Sequence, residues 1–291
     1  MATAAQWISG ARPRTLPAAL APVLVGTGAA AAMDGARPGR ALTALLVSLA
    51  LQVGVNYAND YSDGIRGTDD DRVGPFRLTG SGAATPAAVK RAAFGCFALA
   101  ALAGLGLVAA SGTWWLVVVG AASILAAWFY TGGRRPYGYA GLGEVFVFVF
   151  FGLVAVLGTT YTQALQISPA AVAGATGIGV LACALLVANN LRDVPTDTLA
   201  GKRTLAVRVG AAGTRRLYAV LLATAFVAVA VIGVLSPSRW ALIALAAAPA
   251  AVPPLRAVLA GAAGRDLLPV LRDTGRLELV YALLLGLGLA L

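Results

Sequence analysis

The chain has 291 residues, of which 59% are hydrophobic and 12% charged, and its mean hydropathy is +0.82. A soluble domain usually carries about 25% charged residues, so the composition excludes an ordinary soluble protein and indicates an all-α polytopic membrane protein. Histidine is absent, which excludes Ser–His and Cys–His nucleophilic pairs and the common zinc sites built on histidine. Cys96 and Cys183 lie inside apolar runs and are interpreted as small buried residues.

Apolar runs of about 20 residues, the length that a membrane-spanning helix requires, follow one another along the chain. The first run follows Arg12 and Arg14 and by itself would pass for a signal peptide, but the runs after it favour a retained first helix. Abundant alanine and glycine suit close helix contacts in a bilayer. Nine transmembrane helices are predicted, at residues 16–33, 41–60, 87–110, 113–131, 142–163, 168–191, 215–235, 239–259 and 275–291.

The net charge of +10 would suit nucleic acid, but the positions of the charges indicate otherwise. With the amino terminus inside, 19 of the 22 basic residues fall in inner segments, and Arg37, Arg40 and Arg239 lie outside. The positive-inside rule therefore predicts a multi-pass protein of a bacterial-type cytoplasmic (inner) membrane, with lipid and no nucleic acid as partner. Eleven of the twelve acids also lie inside, which membrane insertion does not require.

The connections between predicted helices differ on the two sides of the membrane. Those outside are short, such as 236–238, whereas the inner connections after helices two and six are long and polar. Long ordered loops in compact proteins are usually functional. Glycines such as Gly74 and Gly201 suit folded loops, so both connections are predicted to form cytoplasmic cap loops over an active site that faces the cytoplasm.

Polar residues close the second predicted helix. Asn56, Asp60 and Asp63 stand at i, i+4 and i+7, so all three share one face of a helix. Two carboxylates and an amide at the end of a membrane helix are costly without a partner. Mg²⁺ is the natural partner, because it takes one or two carboxylates and completes its shell with substrate phosphates.

A similar cluster closes the sixth predicted helix. Two clusters facing each other would make a site for a diphosphate carried on metal ions, whereas salt-bridged or helix-capping acids are the alternative for either cluster alone. The recurrence also indicates parallel pseudo-repeat halves, about 12–131 and 142–259, followed by a ninth helix at 275–291 within a single domain, 1–291. The members of the second cluster are Asn189, Asn190, Asp193 and Asp197.

With these clusters the chain resembles the UbiA superfamily of intramembrane prenyltransferases. The motifs Asn-Asp-Tyr-Ser-Asp at 59–63 and Asn-Asn-Leu-Arg-Asp-x3-Asp at 189–197 carry the resemblance. Within the superfamily the chain looks most like the branch that prenylates 1,4-dihydroxy-2-naphthoate in menaquinone synthesis. After about residue 210 little motif remains. The supporting stretches are 11–17, 54–61, 130–133, 136–144 and 201–206.

The resemblance implies that the two clusters bind Mg²⁺ ions that bridge to the diphosphate of a polyprenyl diphosphate. The first cluster has only two residues between its acids, unlike the spaced form of some relatives, which leaves the division of labour between Asp60 and Asp63 open. The implied ligands are Asp60, Asp63, Asp193 and Asp197, with Asn56, Asn59 and Asn189 in support.

Other residues acquire candidate roles from the same resemblance. Cations would clamp the diphosphate, and tyrosine ring faces would line the path of the allylic cation. Positive-inside anchoring and an interfacial aromatic belt are the alternatives, and for Glu144 a favourable helix dipole. The candidates are Lys202, Arg203 and either Arg134 or Arg135 for the diphosphate, Tyr57, Tyr61, Tyr130 and Tyr139 for the cation, and Arg12, Arg14, Thr15, Tyr139 and Glu144 for the acceptor.

The implied reaction is Mg²⁺-assisted ionisation of the diphosphate, then attack by a ring carbon of the acceptor, with loss of its carboxyl group. The alternatives are another aromatic acceptor, a CDP-alcohol phosphotransferase and an ion-coupled transporter. Asp60-x2-Asp63-Gly64 matches the start of the phosphotransferase motif, but the continuation of that motif is missing. A transporter would favour acids near mid-span, whereas these acids stand at span ends.

Overall fold

The computed structural model describes residues 2–67, 76–236 and 239–291, and within these ranges the chain is helical, without strands. A π-helical turn, Phe148–Val154, joins α6 to α7, and a 3-10 segment, Arg239–Ala247, precedes α10. The α-helices are α1 (Ala4–Gly10), α2 (Pro17–Ala31), α3 (Pro38–Gly64), α4 (Pro86–Ser111), α5 (Leu116–Phe129), α6 (Gly143–Val147), α7 (Ala155–Ala164), α8 (Pro169–Leu199), α9 (Leu205–Leu235), α10 (Ala248–Leu259) and α11 (Leu267–Ala290).

Six helical segments of the described chain are long and apolar enough to cross a membrane, by length and composition. The helices α2 and α5 are apolar but shorter. The protein is therefore a helical membrane protein, and the total of nine spans stays a prediction. The six segments are α3, α4, Gly143–Ala164, α8, α9 and Arg239–Leu259.

Short sequence signals set the helix ends. Thr85 caps α4 by accepting a hydrogen bond from the backbone N–H of Ala88 at 3.3 Å, and Ser168 caps α8 in the same way. A proline follows each cap at the first helical position, where its missing N–H costs nothing. Gly112, with φ of 74°, ends α4 in the left-handed conformation that glycine favours.

The prediction of a long loop after the sixth helix is wrong. Only residues 200–204 separate α8 from α9, and α9 bends at Gly210, where φ is 73°. The polar residues that follow the apolar run belong to α8 and do not end it. The backbone N–H of Ala200 still bonds to the carbonyl of Thr196 at 2.9 Å.

The loop between α3 and α4 is long, as the sequence predicts. Its residues 68–75, which include Arg72 and Gly74 of the predicted cap, lie outside the described residues. The same holds for residues 237 and 238 of the short connection after α9. The described part of the long loop, 76–85, lies against the end of α3, because a Cβ on Gly64 would be 2.5 Å from the side chain of Thr79.

Backbone contacts between glycines hold the main helices together. A Cβ on Gly28 of α2 would lie 2.1 Å from the carbonyl oxygen of Gly286 on α11. A Cβ on Gly152, in the π-helical turn, would lie 2.6 Å from the Cα of Gly179 on α8. These helices therefore approach as closely as small residues allow, the usual basis of helix packing in membranes.

We expect Gly28→Ala to lower the stability of the bundle by roughly 1–3 kcal/mol, because the added methyl group forces α2 away from α11. Thermal unfolding of the purified protein in detergent measures the effect. Gly106→Ala in α4 is the matched control, since a Cβ there meets nothing within 4 Å. An equal loss of stability in both variants would contradict the close contact.

Candidate active site

A cavity of about 880 Å³ lies between α3, α4, α5, α7 and α8. Its polar end is defined by Asp63, Asp193, Asp197 and Lys202, at the carboxyl ends of α3 and α8. Its apolar end is lined by α4, α5 and the α6–α7 segment. The side chains that define the apolar end include Ala100, Gly104, Leu105, Leu116, Gly120, Ile124, Phe146 and Phe150.

Asp63 is the acid of the first cluster that faces the cavity. It is 4% exposed, and its Oδ2 lies 3.3 Å from Nη2 of Arg77. Its Oδ1 accepts a hydrogen bond from the hydroxyl of Tyr139. Burial, and then the negative charge of Asp63, raise the pKa of Tyr139, so the phenol keeps its proton and remains a donor to this carboxylate.

Lys202 joins the two acid clusters. Its Nζ stands 3.6 Å from Oδ1 of Asp63 and 3.6 Å from Oδ1 of Asp197, so these two oxygens are at most twice that distance apart. The ammonium also lies over the ring of Tyr139, 4.6 Å from the centroid. The clusters therefore face each other across one cation, as the hypothesis of a shared site requires.

Asp193 of the second cluster is paired with its neighbour in sequence. Arg192 donates to both carboxylate oxygens of Asp193, from Nε and Nη2, each at 2.7 Å. Its Nη2 also donates to Oδ1 of Asn189 at 2.9 Å. Arg192 is 4% exposed, and this ion pair is buried in the cavity wall. Burying the pair orients the acid and the amide on α8 together.

Asp60 occupies a different position from the rest of the first cluster and does not line the cavity. Its carboxylate accepts hydrogen bonds from the backbone N–H groups of Leu78 at 2.7 Å and Thr79 at 2.8 Å. The side chain is fully buried. Asp60 therefore fastens the loop before α4 to the end of α3, although the sequence groups it with Asp63.

The predicted amides and tyrosines also include some residues that line the cavity and others that do not. The amide of Asn56 donates to the carbonyl of Ala11 at 2.9 Å and to Oγ1 of Thr15 at 3.0 Å, which leaves its oxygen for a ligand. Asn59 accepts a hydrogen bond from Oγ1 of Thr131 at 2.7 Å. The predicted site residues that line the cavity are Arg12, Arg14, Thr15, Asn56, Asn59, Asp63, Tyr130, Tyr139, Asn189, Asp193, Asp197 and Lys202.

Several predicted site residues lie outside the cavity lining. Tyr57 donates its hydroxyl to the carbonyl of Trp7 at 2.9 Å, and Tyr61 stacks on Trp128 with centroids 6.0 Å apart. Glu144 accepts from the amide of Asn190, which does line the cavity, at 3.0 Å. The side chains of Arg134, Arg135 and Arg203 are exposed.

Two buried arginines of the site were not predicted. Arg77 and Arg192 line the cavity and are 7% and 4% exposed, whereas sequence reasoning counted both only as inner positive charges. For Arg192 a signal existed, because it stands between Asn189 and Asp193 on one helix. For Arg77 the sequence holds no comparable signal, since its partner Asp63 comes from another element.

The polar end suits Mg²⁺ by the chemistry of its donors. Asp63, Asp193, Asp197 and Asn189 present hard oxygen atoms, and the ammonium of Lys202 between two of these acids shows that the position accommodates positive charge. Among the described residues, no three acidic or thiol side chains stand close enough to hold an ion alone. Phosphate oxygens of a substrate and water would complete the coordination shell, as is usual for Mg²⁺.

Comparison with known proteins agrees with this geometry. The sequence matches the profile of the UbiA prenyltransferase family over residues 19–290. It is 59% identical over 290 residues to the 1,4-dihydroxy-2-naphthoate octaprenyltransferase of Mycobacterium tuberculosis, covering 100% of this chain and 98% of the relative. The protein of the same name from Escherichia coli is 40% identical, with 98% of this chain and 95% of the relative covered.

Solved structures share the fold. A UbiA homolog from Archaeoglobus fulgidus, bound to DMAPP and Mg²⁺, matches with a TM-score of 0.67 at 14% identity, covering 98% of this chain and 99% of that chain. The fold and the paired acid clusters define a membrane-embedded prenyltransferase. The chain belongs to the UbiA prenyltransferase family, which confirms the resemblance seen in its motifs and argues against a phosphotransferase or a transporter.

Proposed function

We propose that this chain transfers a polyprenyl group from an allylic polyprenyl diphosphate to 1,4-dihydroxy-2-naphthoate, with loss of the carboxyl group, in menaquinone biosynthesis. The product is demethylmenaquinol, which oxidises to demethylmenaquinone. The relatives from M. tuberculosis and E. coli support this acceptor, because they match almost the whole chain and carry that activity in their names.

The division of the cavity into a polar and an apolar end carries the proposal. A polyprenyl diphosphate likewise consists of a strongly anionic head and a hydrocarbon tail. A smaller or fully polar substrate would not occupy both ends of the cavity. Arg77, Arg192 and Lys202 accompany the acids at the polar end, where each of them forms an ion pair with at least one of the acids. The apolar end offers mostly hydrocarbon and aromatic surface to the tail.

Asp63, Asp193, Asp197 and Asn189 would hold the Mg²⁺ ions that accompany the diphosphate. The chemistry supplied by bound Mg²⁺ is neutralisation of the charge that develops on the leaving diphosphate. Lys202 and Arg77 add positive charge from the protein at the same place, and preorganised charge of this kind is usually the largest single contribution to catalysis. The allylic C–O bond breaks with its electron pair remaining on the diphosphate.

The allylic cation would then lie where the cavity turns apolar, beside the ring of Tyr130, since the ring of Tyr139 already faces the ammonium of Lys202. Ring faces stabilise a cation without attacking it. A ring carbon of the acceptor forms the new C–C bond, and the carboxyl group departs as carbon dioxide. Arg12 and Arg14, which line the cavity near α1 and α2, are the proposed partners of the acceptor carboxylate.

The same proposal extends to topology. Nine transmembrane segments, in two pseudo-repeat halves, would place the polar end at the cytoplasmic face of a bacterial cytoplasmic membrane. The excess of Arg and Lys in the connections on that side supports this orientation. The diphosphate and the soluble acceptor would both reach the site from the cytoplasmic side, while the prenyl tail would lie in the apolar end of the cavity.

Prenyl transfer can be tested with the purified chain in lipid vesicles. We expect octaprenyl diphosphate and 1,4-dihydroxy-2-naphthoate to give the prenylated product, carbon dioxide and diphosphate in equal amounts when Mg²⁺ is present. EDTA should stop the reaction and added Mg²⁺ should restore it, since bound Mg²⁺ would neutralise the charge that develops on the leaving diphosphate. Preferential turnover of 4-hydroxybenzoate as acceptor would contradict the proposed acceptor while leaving the reaction class intact.

A further inference from the structure

Gln52 is a buried amide in the cavity wall whose oxygen lacks a partner. It lies on α3, one turn before Asn56, and is 6% exposed. Its Nε2 donates to Oγ1 of Thr15 at 2.9 Å. Its Oε1 is buried without a hydrogen-bond partner among the residues that the structure describes. Buried polar atoms are nearly always hydrogen-bonded, so this oxygen calls for an explanation.

The neighbouring hydrogen bonds fix which end of the Gln52 amide is unpaired. The hydroxyl of Thr15 donates its single proton to the carbonyl of Arg12 at 2.9 Å. The oxygen of Thr15 therefore has to accept from the amide nitrogens of both Gln52 and Asn56. If the amide of Gln52 were turned over, its oxygen would face the oxygen of Thr15, and the hydroxyl of Thr15 could donate to it only by giving up the carbonyl of Arg12. The oxygen is thus the end left for a ligand.

The chemistry of the reactants identifies that ligand, given the function proposed above. An amide oxygen needs an O–H or N–H donor. An ionised diphosphate offers acceptors only, and a polyprenyl tail offers neither donors nor acceptors. Of the two substrates, only the dihydroxynaphthoate carries hydroxyl donors. We infer that Oε1 of Gln52 accepts a hydrogen bond from a ring hydroxyl of the acceptor, and so positions the ring in the cavity.

The position of Gln52 suits this role. It precedes Asp63 by eleven residues on the same helix, which corresponds to about 16 Å along the helix axis. A diphosphate at the acids and a bicyclic ring beyond it would together fill that interval. Arg12 lines the cavity beside the same network, and Thr15 holds its carbonyl. The carboxylate of the acceptor would meet this arginine while one hydroxyl meets Gln52.

We expect Gln52→Met, which keeps the side-chain length, to raise KM for dihydroxynaphthoate about tenfold, the effect of losing one buried hydrogen bond. KM for the polyprenyl diphosphate should stay unchanged. The two mono-O-methyl ethers of the acceptor, used as competitive inhibitors, test the contact directly. On the wild type, one ether should bind about tenfold more weakly than the dihydroxy compound, and on Gln52→Met the two should bind alike.

Gln163→Met is the control, because Gln163 is buried like Gln52 but lies outside the cavity, with both ends of its amide hydrogen-bonded. It should leave both KM values unchanged. Three results would overturn the inference: an unchanged acceptor KM in Gln52→Met, equal rises in both KM values, or ethers that bind the wild type as well as the dihydroxy compound. A wild type without activity on dihydroxynaphthoate overturns the proposed function as well.

Discussion

Asp63→Asn is expected to reduce the rate of prenyl transfer on the order of a hundredfold, the effect of removing one preorganised electrostatic contact to a developing charge. The substitution keeps the shape of the side chain and an oxygen for the hydroxyl of Tyr139. It removes the negative charge that faces Lys202 and that would share in holding a divalent cation. Initial rates at saturating substrate, measured over a range of Mg²⁺ concentrations, give the result.

Asp60→Asn is the informative control for this experiment. Its carboxylate holds the backbone of Leu78 and Thr79, so this variant should unfold at a lower temperature. We expect it to need the same Mg²⁺ concentration for half-maximal rate as the wild type, whereas Asp63→Asn should need more. An equal shift in both variants would show that the two acids act together on the metal, as the sequence alone suggests.

Lys202→Met should have a comparably large effect, with slower turnover by about 10- to 100-fold and weaker binding of the diphosphate. It also has a consequence that requires no substrate. The ammonium separates Asp63 from Asp197 at 3.6 Å from each, so its loss leaves two buried carboxylates facing each other. Mg²⁺ alone should then raise the melting temperature of the variant more than that of the wild type.

Lys90→Met provides the matched comparison for Lys202. The ammonium of Lys90 also lies over aromatic rings, 5.6 Å from the centroid of Tyr61, but it is exposed and outside the cavity. Its removal should change neither turnover nor the response of the melting temperature to Mg²⁺. If Mg²⁺ stabilises all three proteins equally, Lys202 does not stand in for a metal ion between the clusters.

The helical fold and the acid clusters could be predicted because both depend on residues that are close together in the sequence. Hydropathy marks apolar runs, and helical spacing groups Asn189, Asp193 and Asp197 on one face. Helix ends were harder to predict from the same signal. Hydropathy falls near Asn189, while the backbone hydrogen bonds of α8 continue to Leu199.

The roles within each cluster could not be predicted, because partners from other elements decide them. Asp60 and Asp63 are three residues apart on α3, yet one bonds to the backbone of the following loop and the other faces the cavity. Arg77 and Gln52 were missed for the same reason. Arg77 becomes significant only through its ion pair with Asp63 of α3. Gln52 becomes significant because its amide nitrogen bonds to Thr15, whereas its amide oxygen has no partner among the described residues. Neither residue stands in a recognisable motif.

The separation of the cavity into two ends has a consequence for how such enzymes can diversify. The acids proposed to hold the diphosphate stand on α3 and α8, whereas much of the apolar end of the cavity comes from α4 and α5. That wall contains Gly104 and Gly120, where an added Cβ would meet at most a single atom at 4.0 Å. Larger side chains there would shorten the space for the prenyl chain and leave the reacting groups untouched. Under the proposed function, product length and reaction chemistry would thus depend on residues of different helices and could change independently.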